Sequence, residues 1–177
     1  MLELYDYDLS GNCYKIRLIL SFLNLDYISK KIEFYPSEEH KSEIFLKINP
    51  LGQLPVISDG GLILRDAQAI LVYLASKYDK TNKWYNVNDP EMLGSVSQWL
   101  AFGDSITGSA SAARLHDTLF YNNFDIDKCR ETAHSQFRIL DEHLFFQEEL
   151  GCNWICKGEC PSIADICLLY TSDAADE

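Results

Sequence analysis

The sequence predicts an α/β domain followed by an all-α domain, and three observations carry that expectation. Residues 1–78 alternate short strand-like stretches with helix-like ones. Residues 79–89 are polar and broken by Asn82, Asn86 and Asn88, which marks a linker. Residues 90–177 show helical periodicity alone.

Each element has its own local reason. Leu2 and Leu4 alternate with Glu3 in a first strand. Ser10 stands at a helix start, where its oxygen can meet unpaired N–H groups, and Ile16, Ile19, Leu20 and Leu23 then form an apolar stripe. A second strand is expected over 27–34 with Lys30 and Lys31 exposed, then a short helix over 39–48 closed by Asn49-Pro50. Residues 54–58 read as a strand, Asp59-Gly60-Gly61 as a hairpin turn that uses glycine's freedom at positive φ, and 62–64 as the returning strand. Asp66 opens a helix whose stripe is Ala67, Ile70, Leu71, Leu74 and Tyr78. In the second half Asp89 caps and Pro90 occupies the first turn of a helix facing inward with Leu93, Val96, Leu100 and Gly103. A long helix over 125–150 turns Ile126, Cys129, Ala133, Phe137, Leu140 and Leu144 inward, and Ser162 with Asp165 makes a capping box for a third.

The 177 residues hold 15 Lys or Arg and 27 Asp or Glu, a formal charge of −12. That balance argues against a nucleic-acid binder, which needs clustered cations for phosphate, and against a basic membrane-surface protein. No secretory signal is visible at the start, and the most apolar stretch, 16–25, is broken by Arg17 and Asn24. Six cysteines without such a signal suggest free thiols in a reducing compartment.

Three segments carry chemistry. In Asp8-Leu9-Ser10-Gly11-Asn12-Cys13, a strand turns tightly into a helix with a hydroxyl at its amino end. Free N–H groups there favour an anion, so a thiolate would be stabilised by the helix end and by a hydrogen bond from serine. Serine is no base for a thiol; it either donates or simply caps. In Asn49-Pro50-Leu51-Gly52-Gln53-Leu54-Pro55 the second proline belongs at a strand entrance or bend, with a cis bond available, which would turn the backbone of Leu54 toward a ligand. An ordinary loop is the alternative. In Arg65-Asp66-Ala67-Gln68, Asp66 either meets a ligand ammonium while the following N–H groups meet a carboxylate, or is a plain cap.

In order and spacing these segments, with His40-Lys41 nine residues before Asn49 and with Pro161-Ser162-Ile163-Ala164-Asp165, resemble the glutathione transferase superfamily over roughly residues 1–170. The resemblance implies a thioredoxin-like glutathione-binding domain over 1–78, a linker over 79–89 and an all-helical domain over 90–177. It also implies roles, by analogy with serine-type bacterial members. Ser10 would stabilise the glutathione thiolate and Asn12 would add a second polar contact to the sulfur. Leu54, ahead of cis Pro55, would pair with the cysteinyl backbone. Asp66 and position 67 would hold the γ-glutamyl end, and His40, Lys41 and Gln53 the glycyl carboxylate. Glutathione is then a co-substrate, with a small electrophile as second substrate, no metal, no nucleic acid and no membrane. A cytoplasmic homodimer follows from the family alone.

Two departures stand out. Ala67 replaces the usual serine, removing a hydrogen bond to a charged group worth about 1.5–3 kcal/mol. After Tyr170 the chain lacks the apolar spacing of a continuing core helix, which reads as a truncated end. Cys13 sits where the second thiol of redox relatives would stand, with Ser10 in place of the first, so a dithiol mechanism is excluded there. Cys152, Cys156, Cys160 and Cys167 lack the paired two-residue gaps of zinc motifs. His116, His134 and His143 are expected at the surface or core edge, whereas Trp99, Phe102 and Arg114 line either a substrate cleft or the core.

The expected chemistry is thiol ionisation. A thiol of pKa near 8.5 is only a few per cent ionised at pH 7, and each unit of lowering is about 1.36 kcal/mol of thiolate stabilisation. Two rival functions share the fold: a non-catalytic binding or assembly module, and a glutathione-dependent disulfide or peroxide reductase.

Overall fold

The computed structural model describes residues 1–119 and 125–173, which divide into two compact units, 1–78 and 79–177. The first holds a four-stranded sheet in the order β2-β1-β3-β4, built from β1 (Leu2–Asp6), β2 (Tyr27–Lys31), β3 (Val56–Asp59) and β4 (Leu62–Arg65). β1 runs parallel to β2 and antiparallel to β3, and β3 and β4 form a hairpin closed by Gly60-Gly61, both at positive φ. The helices are α1 (Gly11–Phe22), α2 (Glu43–Leu46) and α3 (Ala67–Tyr78).

Pleating puts Leu2, Leu4 and Asp6 on one buried face of β1. On the other face Tyr5 meets Phe45 of α2 edge-on at 6.1 Å, beside Ile32, Val56, Ile48 and Leu54. The stripe of α1 is buried at Ile16, Ile19 and Leu20, and α1 packs on α3, which buries Ala67, Ile70, Leu71, Leu74 and Ala75. Asp59, at the end of β3, accepts from Tyr73 (2.8 Å), Tyr78 (2.6 Å) and Lys77 (2.7 Å), which fastens the hairpin to α3.

Two local expectations need correction. The second strand stops at Lys31 rather than running to residue 34. The run 39–48 is not one helix: a 3₁₀ turn spans Glu39–Lys41, and α2 restarts because Ser42 captures the N–H of Phe45 at 3.2 Å.

The second unit begins at a folded turn. The buried carboxylate of Asp79 accepts from the backbone of Thr81 (2.9 Å) and Trp84 (2.7 Å) and from the Thr81 hydroxyl (2.6 Å). Its helices are α4 (Pro90–Ile106), α5 (Ala112–Leu119), α6 (Ile126–Glu149) and α7 (Ile163–Asp173), with a π-helical stretch over Thr107–Ser111 between α4 and α5. Asp89 caps α4 by accepting from Glu91 and Met92, and Asp125 caps α6 through Lys128. Asp165 accepts from the N–H of Ser162 at 2.7 Å and from that of Ile155 at 2.8 Å, so the capping box also holds the loop before α7. The inward face of α6 differs from the expected one. Leu144 is exposed, and Gln147 is buried instead, its amide donating to the carbonyls of Trp154 and Ile155, both at 3.1 Å. Residues 174–177, part of the segment read as a truncated end, lie outside the described residues, as does the side chain of His116. Among the described residues no helix is long and apolar enough to cross a membrane.

Candidate functional site

The candidate site is assembled at the amino ends of α1 and α3 and in the loop that enters β3. Ser10 is the N-cap of α1: its Oγ accepts the N–H of Cys13 at 3.2 Å. A hydroxyl that accepts through a lone pair keeps its own proton for donation, so capping and donation are compatible at one side chain. The loop carrying Ser10 is braced from β1 and α1. Arg17 pairs with the buried carboxylate of Asp6 and donates to the carbonyl of Asp8 at 3.1 Å, while Lys31 also holds Asp6 at 3.0 Å. Lys31 additionally pairs with Asp8, whose carboxyl is held below the usual carboxylate range by that bond.

Asn12, in the first turn of α1, accepts from the ammonium of Lys15 at 2.9 Å, and Lys15 is almost wholly buried. The thiol of Cys13 is fully buried, and burial pushes its pKa up to about 12, so it is no thiolate nucleophile at neutral pH.

The loop into β3 is shaped by Asn49, which is completely buried. Its Oδ1 accepts from the N–H of Leu51 at 3.1 Å and its Nδ2 donates to the carbonyl of Gln53 at 2.8 Å. Gly52 has φ +59, and a Cβ there would stand 3.0 Å from the carbonyl oxygen of His40. The Leu54–Pro55 peptide is cis, and the ladder with β1 begins only at Val56, which leaves the backbone of Leu54 outside the sheet. A second cis bond, Tyr35–Pro36, was not foreseen.

His40 is buried and stacked on Phe34 with ring centroids 4.0 Å apart. Burial, helped by the charge of Lys41, lowers its pKa, so the ring is neutral at pH 7 and offers hydrogen bonds rather than charge. Lys41 is exposed and ion-paired with Glu38. Gln53 is exposed. Asp66 adopts φ 75, a left-handed conformation that asparagine and aspartate tolerate best, and its Oδ1 caps α3 through the N–H of Ala69 at 2.9 Å. Ala67 is buried beside it. Sequence reasoning overlooked the side chain of Gln68. Its Nε2 and the Nδ1 of His40 are buried polar atoms without a protein partner, the condition of groups that await a ligand or water.

In the helical unit, Trp99 is a core residue. It packs edge-on to Phe102 at 5.3 Å and against His143 at 4.3 Å, and the Nε2 of His143 lies 2.7 Å from the carbonyl oxygen of Ile155. His134 is exposed. Cys152 and Cys156 are buried thiols and Cys160 is exposed. Among the described residues no group of three or more His, Cys, Asp or Glu side chains is arranged to hold a metal ion.

A mixed four-stranded sheet, a capped helix after its first strand and a cis-proline ahead of its third define a thioredoxin-like domain, here followed by a helical region. Residues 4–82 match the family described as "Glutathione S-transferase, N-terminal domain". The chain is 26% identical over 170 residues to glutathione S-transferase D7 of Drosophila melanogaster, a match covering 96% of this chain and 73% of that one. It is 42% identical over 72 residues to human glutathione S-transferase theta-2, covering 40% of this chain and 29% of the relative. Matches to six further curated relatives span 29% to 50% of their lengths. Among solved structures, a glutathione transferase homolog from Lodderomyces elongisporus, crystallised with two glutathione molecules per subunit, superposes with a TM-score of 0.85 at 27% identity, covering 99% of this chain and 84% of that one. Residues 4–82 are thus similar to that N-terminal domain family, and the fold matches solved glutathione transferase structures.

Proposed function

We propose that the chain is a glutathione transferase that binds glutathione on its thioredoxin-like unit and ionises its thiol. The thiolate attacks a small hydrophobic electrophile. A carbon–sulfur bond forms as a leaving group departs or as an activated double bond takes the electron pair, and the thiol proton passes to water. The observation that carries the reading is Ser10, whose oxygen accepts the Cys13 N–H at the amino end of α1, a bond that does not use the hydroxyl proton. The backbone of Leu54 ahead of cis Pro55 suits pairing with the cysteinyl unit. Asp66, the N–H of Ala67 and the unpartnered amide of Gln68 suit the γ-glutamyl end, and Lys41, neutral His40 and Gln53 the glycyl carboxylate. Asn12 adds a second donor to the sulfur. The homodimer and cytoplasmic placement are carried over from the family.

The test is retention on immobilised glutathione combined with a chlorodinitrobenzene assay. Retention with conjugation is expected. Retention without conjugation would make the chain a binding module, and turnover with a mixed disulfide but not with the aryl halide would make it a reductase.

A further inference from the structure

Lys15 takes no part in the function proposed above, yet among the described residues it is one of the most deeply buried polar side chains, with 1% of its surface exposed. Burying an ammonium costs several kcal/mol unless polar groups surround it, so such a lysine is held in place by what it bonds. Its Nζ lies 2.9 Å from the side-chain oxygen of Asn12, one helical turn before it.

That contact has a chemical consequence. An ammonium has three donors and no acceptor, so the Asn12 atom facing it must be the carbonyl oxygen. The two-fold ambiguity of the amide is thereby removed, and the Nδ2 amine is turned away from Lys15. Among the described residues no group accepts a hydrogen bond from that amine. An amide free to flip would present its oxygen to a neighbouring anion part of the time, and an oxygen facing a thiolate repels it. A locked amide presents donors only.

We propose that Lys15 is a positioning residue: by binding the Asn12 oxygen it dedicates the Asn12 amine to donation toward the glutathione sulfur. The inference rests on the glutathione reading and deepens it, since it makes thiolate stabilisation depend on a buried cation that does not itself touch the sulfur.

The test is a cycle of Asn12→Ala, Lys15→Met and the double variant in the full chain. Bound-glutathione ionisation is followed by thiolate absorbance against pH, with Ser10→Ala alongside. Asn12→Ala and Lys15→Met are each expected to raise the bound thiol pKa by roughly half a unit to one unit, about three- to tenfold less thiolate at a fixed pH below it. The double variant should show no more than the larger single shift. Lys15→Gln, which keeps a donor without the charge, should restore most of the wild-type titration, and affinity for S-methylglutathione, which has no thiolate, should stay within about twofold. A wild-type titration in Lys15→Met while Asn12→Ala shifts, or additive shifts in the double variant, overturns the role of Lys15 and leaves the glutathione reading intact. If glutathione does not bind the wild type, or neither Ser10→Ala nor Asn12→Ala shifts the titration, both fall together. Should Lys15→Met fail to fold, Lys15→Gln carries the decision through the Asn12 side-chain amide resonances in the free protein. They should match wild type, and an Asn12 amide that flips freely in Lys15→Gln overturns the proposal.

Discussion

The Sγ of Cys167 on α7 lies 2.6 Å from the point where a Cβ on Gly103 of α4 would stand. No real Cβ tolerates that distance, and Cys167 is fully buried, so the missing side chain at 103 is what lets the two helices approach. Gly103→Ala gains about 1 kcal/mol of helix propensity but overpacks the contact at a cost of roughly 1–3 kcal/mol. A net loss of about 1 kcal/mol is expected in urea unfolding. Adding Cys167→Ala should recover most of it, because the two sites couple directly. An alanine at 103 as stable as the glycine would show that α7 yields freely.

Acid sensitivity should trace in part to Asp59. Its bond from Lys77, followed by that from Tyr78, holds the carboxyl at about 2, below the usual 3.8. A folded-state pKa below the unfolded one means the contribution is fully present above about pH 4 and is lost as pH falls toward 2. Asp59→Asn should flatten the stability profile across that window, as measured by thermal unfolding at a series of pH values. Equal slopes in variant and wild type would count against the hairpin anchor.

Thiol reactivity should separate cleanly by burial. Cys160 is exposed, whereas Cys13 is fully buried with its pKa pushed up to about 12. Iodoacetamide applied to the native chain should label Cys160 and spare Cys13 until denaturant is added, which peptide mass spectrometry reads directly. Fast native labelling of Cys13 would overturn its structural role.

The loop that delivers Leu54 should be sensitive at two positions that touch no ligand in the proposed reading. Asn49→Ala removes two buried hydrogen bonds, and Gly52→Ala forces a side chain into positive φ against the His40 carbonyl. Each should lower stability by about 1–3 kcal/mol and weaken glutathione binding, measured by calorimetry. Unchanged binding in a folded Asn49→Ala protein would detach the loop from the site.

Much of this architecture was legible because its signals are local. Caps at Ser10, Asp66, Asp89 and Ser162 stand where side-chain oxygens precede periodic apolar runs, and all four form as the spacing predicts. The break inside 39–48 was hidden because Ser42 satisfies helical periodicity while competing for the backbone, and only the fold decides which wins. The inward turn of Gln147 in place of Leu144 depends on the carbonyls of Trp154 and Ile155, partners that no period reveals. The chemistry proposed for Ser10 follows from its place in a strand–turn–helix, whereas no local signal marks Lys15. Its three-residue spacing from Asn12 was visible; its burial was not.

Ser10 serves the backbone as well as the proposed reaction, and that double duty bears on how descendants of this chain would diverge. Replacing it costs the helix its cap whether or not any substrate is turned over, so selection for folding alone would retain a serine there in a lineage that had abandoned conjugation. Asn12 is no cap, and its bond to Lys15 leaves α1 whole when lost. Drift away from conjugation is therefore expected to surface first at the asparagine–lysine pair, and the state of that pair in a relative is the more telling mark of a working enzyme.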